Sequence, residues 1–159
     1  MIVIACPGQG SQTPGFLNEW LALDGAEEFI AEASKRSGVD LLTHGTLSDA
    51  DTIKDTAVAQ PLIVAASLLA WRELAARTSL DGAGVAGHSV GEFAAAAAAG
   101  VLSASDALSL VGTRGRAMAE AARRERTGMA AVVGGVEADV IAKIEADGLT
   151  PANRNAGGQ

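Results

Sequence analysis

With 159 residues, 48% of them hydrophobic and 19% charged, the chain carries enough apolar material for a substantial core and too little charge for a disordered one. The net charge of −7, with no basic stretch interleaved with aromatic residues, argues against nucleic acid as a partner, and a single cysteine, Cys6, excludes an internal disulfide and suits a cytoplasmic setting. The short apolar start lacks the basic flank of a signal peptide, and no run reaches the roughly 18 uncharged apolar residues of a spanning helix, so no membrane association is expected.

Two Trp, three Phe and no Tyr leave the core to Ala, Val, Leu and Ile, which favours helices packed closely on a sheet. In chain order, Ile2 to Ala5 is a β-branched run predicting a buried parallel strand. Pro7-Gly-Gln-Gly-Ser-Gln12 follows as a loop in which two glycines flank Gln9, free to turn sharply and offer backbone amides to a ligand. A short helix around Trp20, from Phe16 to Leu23, precedes a better one from Glu27 to Ser37, with acidic residues in its first turn, Lys35 and Arg36 in its last, and Gly38 as its stop. His44 falls in a polar loop, as do Asp51 to Asp55. Thr56 is placed to cap a core helix from Ala57 to about Arg77, with Pro61 near its start, a seam of Val64, Leu68 and Trp71 widened by Leu69 and Leu74, and Gln60 at its entry.

Gly84-Val-Ala-Gly-His-Ser-Val-Gly-Glu92 is the most informative stretch. Gly87, Ser89 and Gly91 spell Gly-x-Ser-x-Gly between a predicted strand, Val85 to Gly87, and a predicted helix, Val90 to Ala99, apolar all round and therefore expected to be buried. That context is what a nucleophile elbow requires: a serine on a strained turn, with the open amides and positive dipole end of a helix directly behind it. The plain alternative is a glycine-rich turn carrying a surface serine. After Gly100, Ser103-Ala-Ser-Asp106 is similar to a capping box and opens a long helix to about Ala122, with Leu108, Val111 and Met118 on its inner face and Arg114 and Arg116 along it. Arg123, Arg124 and Arg126 crowd its C-terminal end, where basic residues complement the helix dipole. After Thr127-Gly128 the pattern begins anew: a strand from Met129 to Val133, a helix from Val136 to Ala146 with Ile141 and Ile144 inward, a strand from Leu149 to Ala152, and a loop to Gln159. The expected fold is α/β, with a division into residues 1–126 and 127–159.

Pro7-Gly-Gln-Gly-Ser-Gln12, Gln60-Pro61-Leu62, Gly87-His-Ser-Val-Gly-Glu92 and Thr113-Arg-Gly115, in that order, resemble the malonyl-CoA:acyl carrier protein transacylase family, including the stand-alone bacterial enzymes of fatty acid synthesis and, as relatives, the acyltransferase domains of polyketide synthases. The resemblance implies a parallel-sheet, hydrolase-like large domain with a nucleophile elbow over residues 1–126 and the start of a small ferredoxin-like subdomain over 127–159. It implies Ser89 as nucleophile, backbone N–H groups of Gln9 and Val90 as oxyanion hole, Arg114 as the group holding the substrate's free carboxylate, and Gln60 as a further substrate-binding residue. Val90 is a small aliphatic residue after the nucleophile, which in the related polyketide domains accompanies malonyl use. Malonyl-CoA and an acidic acyl carrier protein are the implied partners, the latter docking near Arg116, Arg123, Arg124 and Arg126; no metal or other cofactor is implied.

Two features depart from the family. Its general base is a histidine further along the chain, whereas the histidines here are His44 and His88, and elbow geometry sends the latter away from the nucleophile's line of attack. Family members also run to roughly twice this length. The expectation is therefore the N-terminal portion of a transacylase, completed by the remainder of the same polypeptide. A serine hydrolase of related architecture and a catalytically silent binding module are the alternatives, the second because the base is missing.

Overall fold

The computed structural model describes residues 2–124 and 127–155. They fold as two compact units, divided between residues 125 and 126. The first contains β1 (Val3–Cys6), a 3-10 turn (Trp20–Ala22), α1 (Ala26–Ser37), α2 (Leu41–Thr46), a second 3-10 turn (Thr52–Lys54), α3 (Thr56–Arg77), β2 (Gly84–Gly87), α4 (Gly91–Ala98) and α5 (Ala104–Arg124). The second contains α6 (Glu137–Ala146).

The two strands pair in parallel, Val3 opposite Gly84 through Cys6 opposite Gly87, so the end of the first strand and the loop after it lie directly beside the Gly-x-Ser-x-Gly turn. The connection between them runs through α1, α2 and α3, as a parallel pair requires. The core is built on α3. Leu62, Val64, Ala65 and Leu69 are fully buried, and Ile30 of α1, Leu41 of α2 and Val111 of α5 join them. Each large aliphatic side chain so placed stabilises the fold by roughly 1.5–3 kcal/mol. By length and composition α3 could cross a bilayer, which is closer to that limit than the sequence reading allowed, yet half of its apolar window is buried within the protein. It serves as the core helix.

Local capping chemistry explains several boundaries. The Asp55 carboxylate, not Thr56, caps α3, accepting from Ala57 N–H at 2.8 Å, and Thr56 becomes the first helical residue. The helix thus begins ahead of Pro61 and runs through it. At α5 Ser103 caps the helix as expected, its Oγ accepting from Asp106 N–H at 3.0 Å and donating to Asp106 Oδ2 at 2.7 Å. His44 lies not in a loop but in α2, which Asp40 opens by accepting from Thr43 N–H at 3.1 Å. The Thr43 hydroxyl, and then this N–H, hold the Asp40 carboxyl below the usual carboxylate range. The expected helix from Phe16 to Leu23 reduces to turns and the 3-10 segment at Trp20–Ala22.

Other corrections concern burial. Only Gly91, Ala94 and Ala95 of α4 are buried, because the helix meets the core along one stripe. Leu74 is 37% and Met118 44% exposed, so neither belongs to an inner face. In the second unit neither Met129 to Val133 nor Leu149 to Ala152 forms a strand, and no residue of α6 is buried, so Ile141 and Ile144 are only half-covered. A short β-branched run becomes a strand only where a neighbouring strand accepts its backbone bonds, and none of the described residues does so there. The expected terminal loop is described only to Asn155, leaving residues 156–159 outside the described residues.

A tight backbone constraint lies at the turn after β2. A Cβ on Gly91 would stand 2.3 Å from the Cys6 carbonyl oxygen and 2.6 Å from that of Pro7. Gly91→Ala is therefore expected to destabilise the protein by about 3 kcal/mol or more. Gly100→Ala, at φ +74° but facing open space, should cost only about 1–2 kcal/mol. Denaturant unfolding of the two variants checks the contrast; equal losses would show that the turn tolerates a side chain.

Candidate active site

The site begins where β2 ends. His88 N–H donates to Cys6 O at 3.1 Å, extending the parallel ladder by one residue, and the chain then reverses at Ser89. Ser89 has φ +52°, the one non-glycine residue with positive φ among those described. For a serine this left-handed conformation costs on the order of 1–2 kcal/mol, so its surroundings must impose it. They do so through missing side chains. A Cβ on Gly87 would lie 2.3 Å from Glu92 N, so β2 and the first turn of α4 can fold back on each other only with glycine there. The turn closes when Gly91 N–H donates to His88 O at 3.0 Å and Glu92 N–H to Ser89 O at 3.1 Å. Ser89 is left exposed and the adjacent Val90 fully buried. No side chain caps α4, and the positive end of its dipole lies beside the serine.

The Pro7 to Gln12 loop is fastened from both ends. Gln12 accepts from Gly10 N–H at 2.9 Å through Oε1 and donates through Nε2 to Ile53 O at 3.0 Å. Gln9 Nε2 donates to Lys54 O and Thr56 Oγ1, both at 3.3 Å, turning its side chain toward the start of α3. Gly10 at φ +109° permits the bend. Gly8 lies under the His88 ring, where a Cβ would come 2.4 Å from Nδ1. His44 Nδ1 is bonded to Ser48 Oγ at 2.9 Å. Cys6 is buried, and burial pushes its thiol pKa up, which keeps it protonated and unreactive at neutral pH.

Across from the serine, α5 delivers Arg114. The helix approaches its neighbours closely because Gly112 and Gly115 bracket the arginine: a Cβ would lie 2.2 Å from Ser37 O at the first and 3.0 Å from Thr56 O at the second. The same turn of α3 contains the Ala57 carbonyl, which Pro61 leaves without its usual helical donor. From this position Arg114 Nη1 donates to Gln60 Oε1 at 2.5 Å and Nη2 to Ser89 Oγ at 3.2 Å. Gln60 is 1% exposed, and its Nε2 donates to Met118 Sδ at 3.2 Å.

Of the residues selected from sequence, the fold brings Ser89, Arg114 and Gln60 into one hydrogen-bonded cluster with Val90 at the adjoining helix start. The Gln9 loop meets the serine turn at Gly8 and His88, while the Gln9 side chain is directed to Lys54 and Thr56. The basic cluster separates. Arg116 Nη1 donates to Ser37 O at 2.7 Å and closes the C-terminus of α1, Arg124 pairs with Glu120 at 2.9 Å, Arg123 is exposed, and Arg126 lies outside the described residues. Sequence reasoning missed Met118 as a member of the site, although its spacing of four from Arg114 already set the two on one helix face. It also missed Thr56 as an anchor for Gln9. Among the described residues, no group of His, Cys, Asp and Glu is placed to hold a metal ion.

A mixed α/β domain, with a parallel strand running through a strained serine turn into a helix, is the class these observations define. The chain belongs to the acyl transferase domain family, whose model matches residues 3–158. It is 56% identical over 161 residues to a malonyl CoA-acyl carrier protein transacylase of Mycobacterium tuberculosis, covering 100% of this chain and 53% of that protein. The crystal structure of MCAT from Mycobacterium tuberculosis superposes with a TM-score of 0.95 at 56% identity, again over 100% of this chain and 53% of the other. A malonyl-transacylase solved in complex with a type II PKS acyl-carrier protein matches with a TM-score of 0.75 and 30% identity, over 92% of this chain and 47% of its own. The chain thus spans about half the length of the curated relatives it matches.

Because Arg116 closes a helix end, its removal should be felt in stability. Arg116→Ala is expected to lower the unfolding free energy by about 1–2 kcal/mol, the worth of a charged hydrogen bond to an orphan helix carbonyl. Urea titration measures it, and an unchanged midpoint would show that the bond to Ser37 O contributes nothing.

Proposed function

We propose that this chain is the nucleophile-bearing part of a malonyl-CoA:acyl carrier protein transacylase, acting in fatty acid synthesis or, with a different carrier, in polyketide synthesis. The observation that carries this reading is the placement of Arg114 between Ser89 Oγ and the buried Gln60. A hydrolase acting on neutral esters has no use for a guanidinium against its nucleophile. A malonyl ester does, because its free carboxylate lies two bonds beyond the acyl carbon and would otherwise be desolvated without a partner. The fork of Arg114 can hold that carboxylate bidentately, while Gln60 fixes the orientation of the fork.

In this account Ser89, at a nucleophile elbow, attacks the thioester carbon of malonyl-CoA. Its proton passes to a base, the carbonyl oxygen takes the negative charge, and the N–H groups of Val90 and Gln9 stabilise it. Collapse of the tetrahedral intermediate expels CoA as its thiol and leaves malonyl on Ser89. The pantetheine thiol of the carrier protein then repeats the steps in reverse. No metal or redox cofactor is required for this chemistry. The base is assigned to a histidine in the remainder of the polypeptide, where the family resemblance puts it, since His44 Nδ1 is engaged by Ser48 Oγ and the His88 ring lies over Gly8. Residues 127–159 are read as the beginning of a small ferredoxin-like subdomain, and the setting as cytoplasmic.

Carrier docking is assigned to the exposed C-terminal end of α5. A carrier of acidic character meets an acidic chain here, so a local positive patch must overcome net repulsion. With Arg116 engaged on α1 and Arg124 paired with Glu120, the exposed Arg123 is the cation left to supply it among the described residues.

In the full-length enzyme, Arg114→Ala should reduce kcat/KM for malonyl-CoA by at least about a hundredfold, because it strands a desolvated carboxylate, while leaving acetyl-CoA transfer unchanged or improved. Competition between the two thioesters, read by mass spectrometry of the acyl-enzyme, decides it. A variant as selective for malonyl as the parent would refute the clamp.

A further inference from the structure

We propose that Met118 is a positioning residue for the carboxylate clamp: its thioether fixes the amide of Gln60 so that the oxygen faces Arg114. The inference rests on the reading of Arg114 given above and extends it to a residue with no direct role in that chemistry. A guanidinium only donates hydrogen bonds, so the atom of Gln60 at 2.5 Å from Arg114 Nη1 must be the oxygen. The amide nitrogen is thereby turned the other way, into a site that is 1% exposed and closed to solvent. There its acceptor is Met118 Sδ at 3.2 Å. An amide donor buried without an acceptor is strongly disfavoured, and the orientation that suits Arg114 is tolerated because the sulfur is present.

The position of Met118 supports this role over simple packing. It is four residues after Arg114 on α5, so one helix face carries both the clamp and the group that holds the partner of the clamp. At 44% exposed it is not a core residue. A thioether is also a weak acceptor. It satisfies the Gln60 nitrogen without competing for Arg114, and an anionic group in its place would draw the guanidinium away from the substrate.

Without the sulfur, Gln60 must rotate to find an acceptor, and its oxygen leaves Arg114. The guanidinium then loses the tether on Nη1 that keeps its fork facing the serine. Binding of the malonyl carboxylate weakens, while the reacting atoms at Ser89 are untouched. The effect therefore falls on KM and on selectivity and spares kcat.

The test compares Met118→Leu, which keeps volume and removes the acceptor, with Met118→Gln, which restores one as an amide oxygen. Both are made in the full-length enzyme, alongside Arg114→Ala, and steady-state parameters are measured with malonyl-CoA and acetyl-CoA. Met118→Leu should raise KM for malonyl-CoA about fivefold and lower malonyl-over-acetyl selectivity in proportion, the size of one neutral hydrogen bond, with kcat and melting temperature close to the parent. Met118→Gln should recover most of that loss. The proposal is overturned if Met118→Leu retains the parent's KM and selectivity, or if the two variants lose them equally. Selectivity that survives Arg114→Ala removes the clamp itself, and this inference with it; selectivity lost in Arg114→Ala but kept in Met118→Leu removes this inference alone.

Discussion

The structure depends on two places where backbone stands where a side chain would ordinarily be. At Gly87 and Gly91 the strand, the serine turn and the first turn of α4 lie so close to one another and to the Cys6 and Pro7 carbonyls that a methyl group fits at neither position. This crowding holds Ser89 in a left-handed conformation that the residue would not adopt by itself, and it ties the serine turn to the loop that follows β1. The order of events is physical. Parallel pairing brings Cys6 beside Gly87, the loop must then pass under the turn, and a serine pointing away from both is the conformation that remains.

A second close approach brings the charge. Gly112 and Gly115 let α5 settle against the end of α1 and the start of α3, and Arg114 between them reaches the buried Gln60 and the exposed Ser89 at once. A guanidinium in such a place is half desolvated and needs fixed acceptors. Gln60 supplies one from inside the core helix, and Ser89 Oγ supplies the other. Arg116, two residues on, does different work, closing α1 through Ser37 O. Basic residues two apart on one helix thus differ by the neighbour each meets, Arg114 reaching the serine turn and Arg116 the end of α1.

The parts of this arrangement that were legible in the sequence are those where a local pattern and a required geometry coincide. Gly87-x-Ser89-x-Gly91 between two apolar runs could be read because glycine is demanded on both sides of a strained serine. The helix cap at Ser103 and Asp106 could be read for the same kind of reason. What escaped depended on distant partners. Met118 looks like a core methionine until Gln60 is seen to need an acceptor. His44 looks like a loop residue because α2 spans only six residues and is secured by Asp40 and by burial of Leu41. The segments around Val132 and Leu149 have strand composition, yet composition does not supply a neighbouring strand. Arg114 is a further case, since only the resemblance to a family separated it in sequence from Arg116 and Arg123.

A serine hydroxyl is a poor nucleophile at neutral pH, and loss of the group that takes its proton costs several orders of magnitude in rate. The measurement that bears most directly on the central claim is therefore where, and in which polypeptide, malonyl becomes attached. Residues 1–159 and the full-length enzyme are each incubated with malonyl-CoA, quenched in acid and examined by intact mass and peptide mapping. The account predicts one malonyl group on Ser89 of the full-length enzyme and none on residues 1–159 until the remainder of the chain is supplied. Rapid stoichiometric acylation of residues 1–159 alone, or a label on any residue other than Ser89, would contradict it.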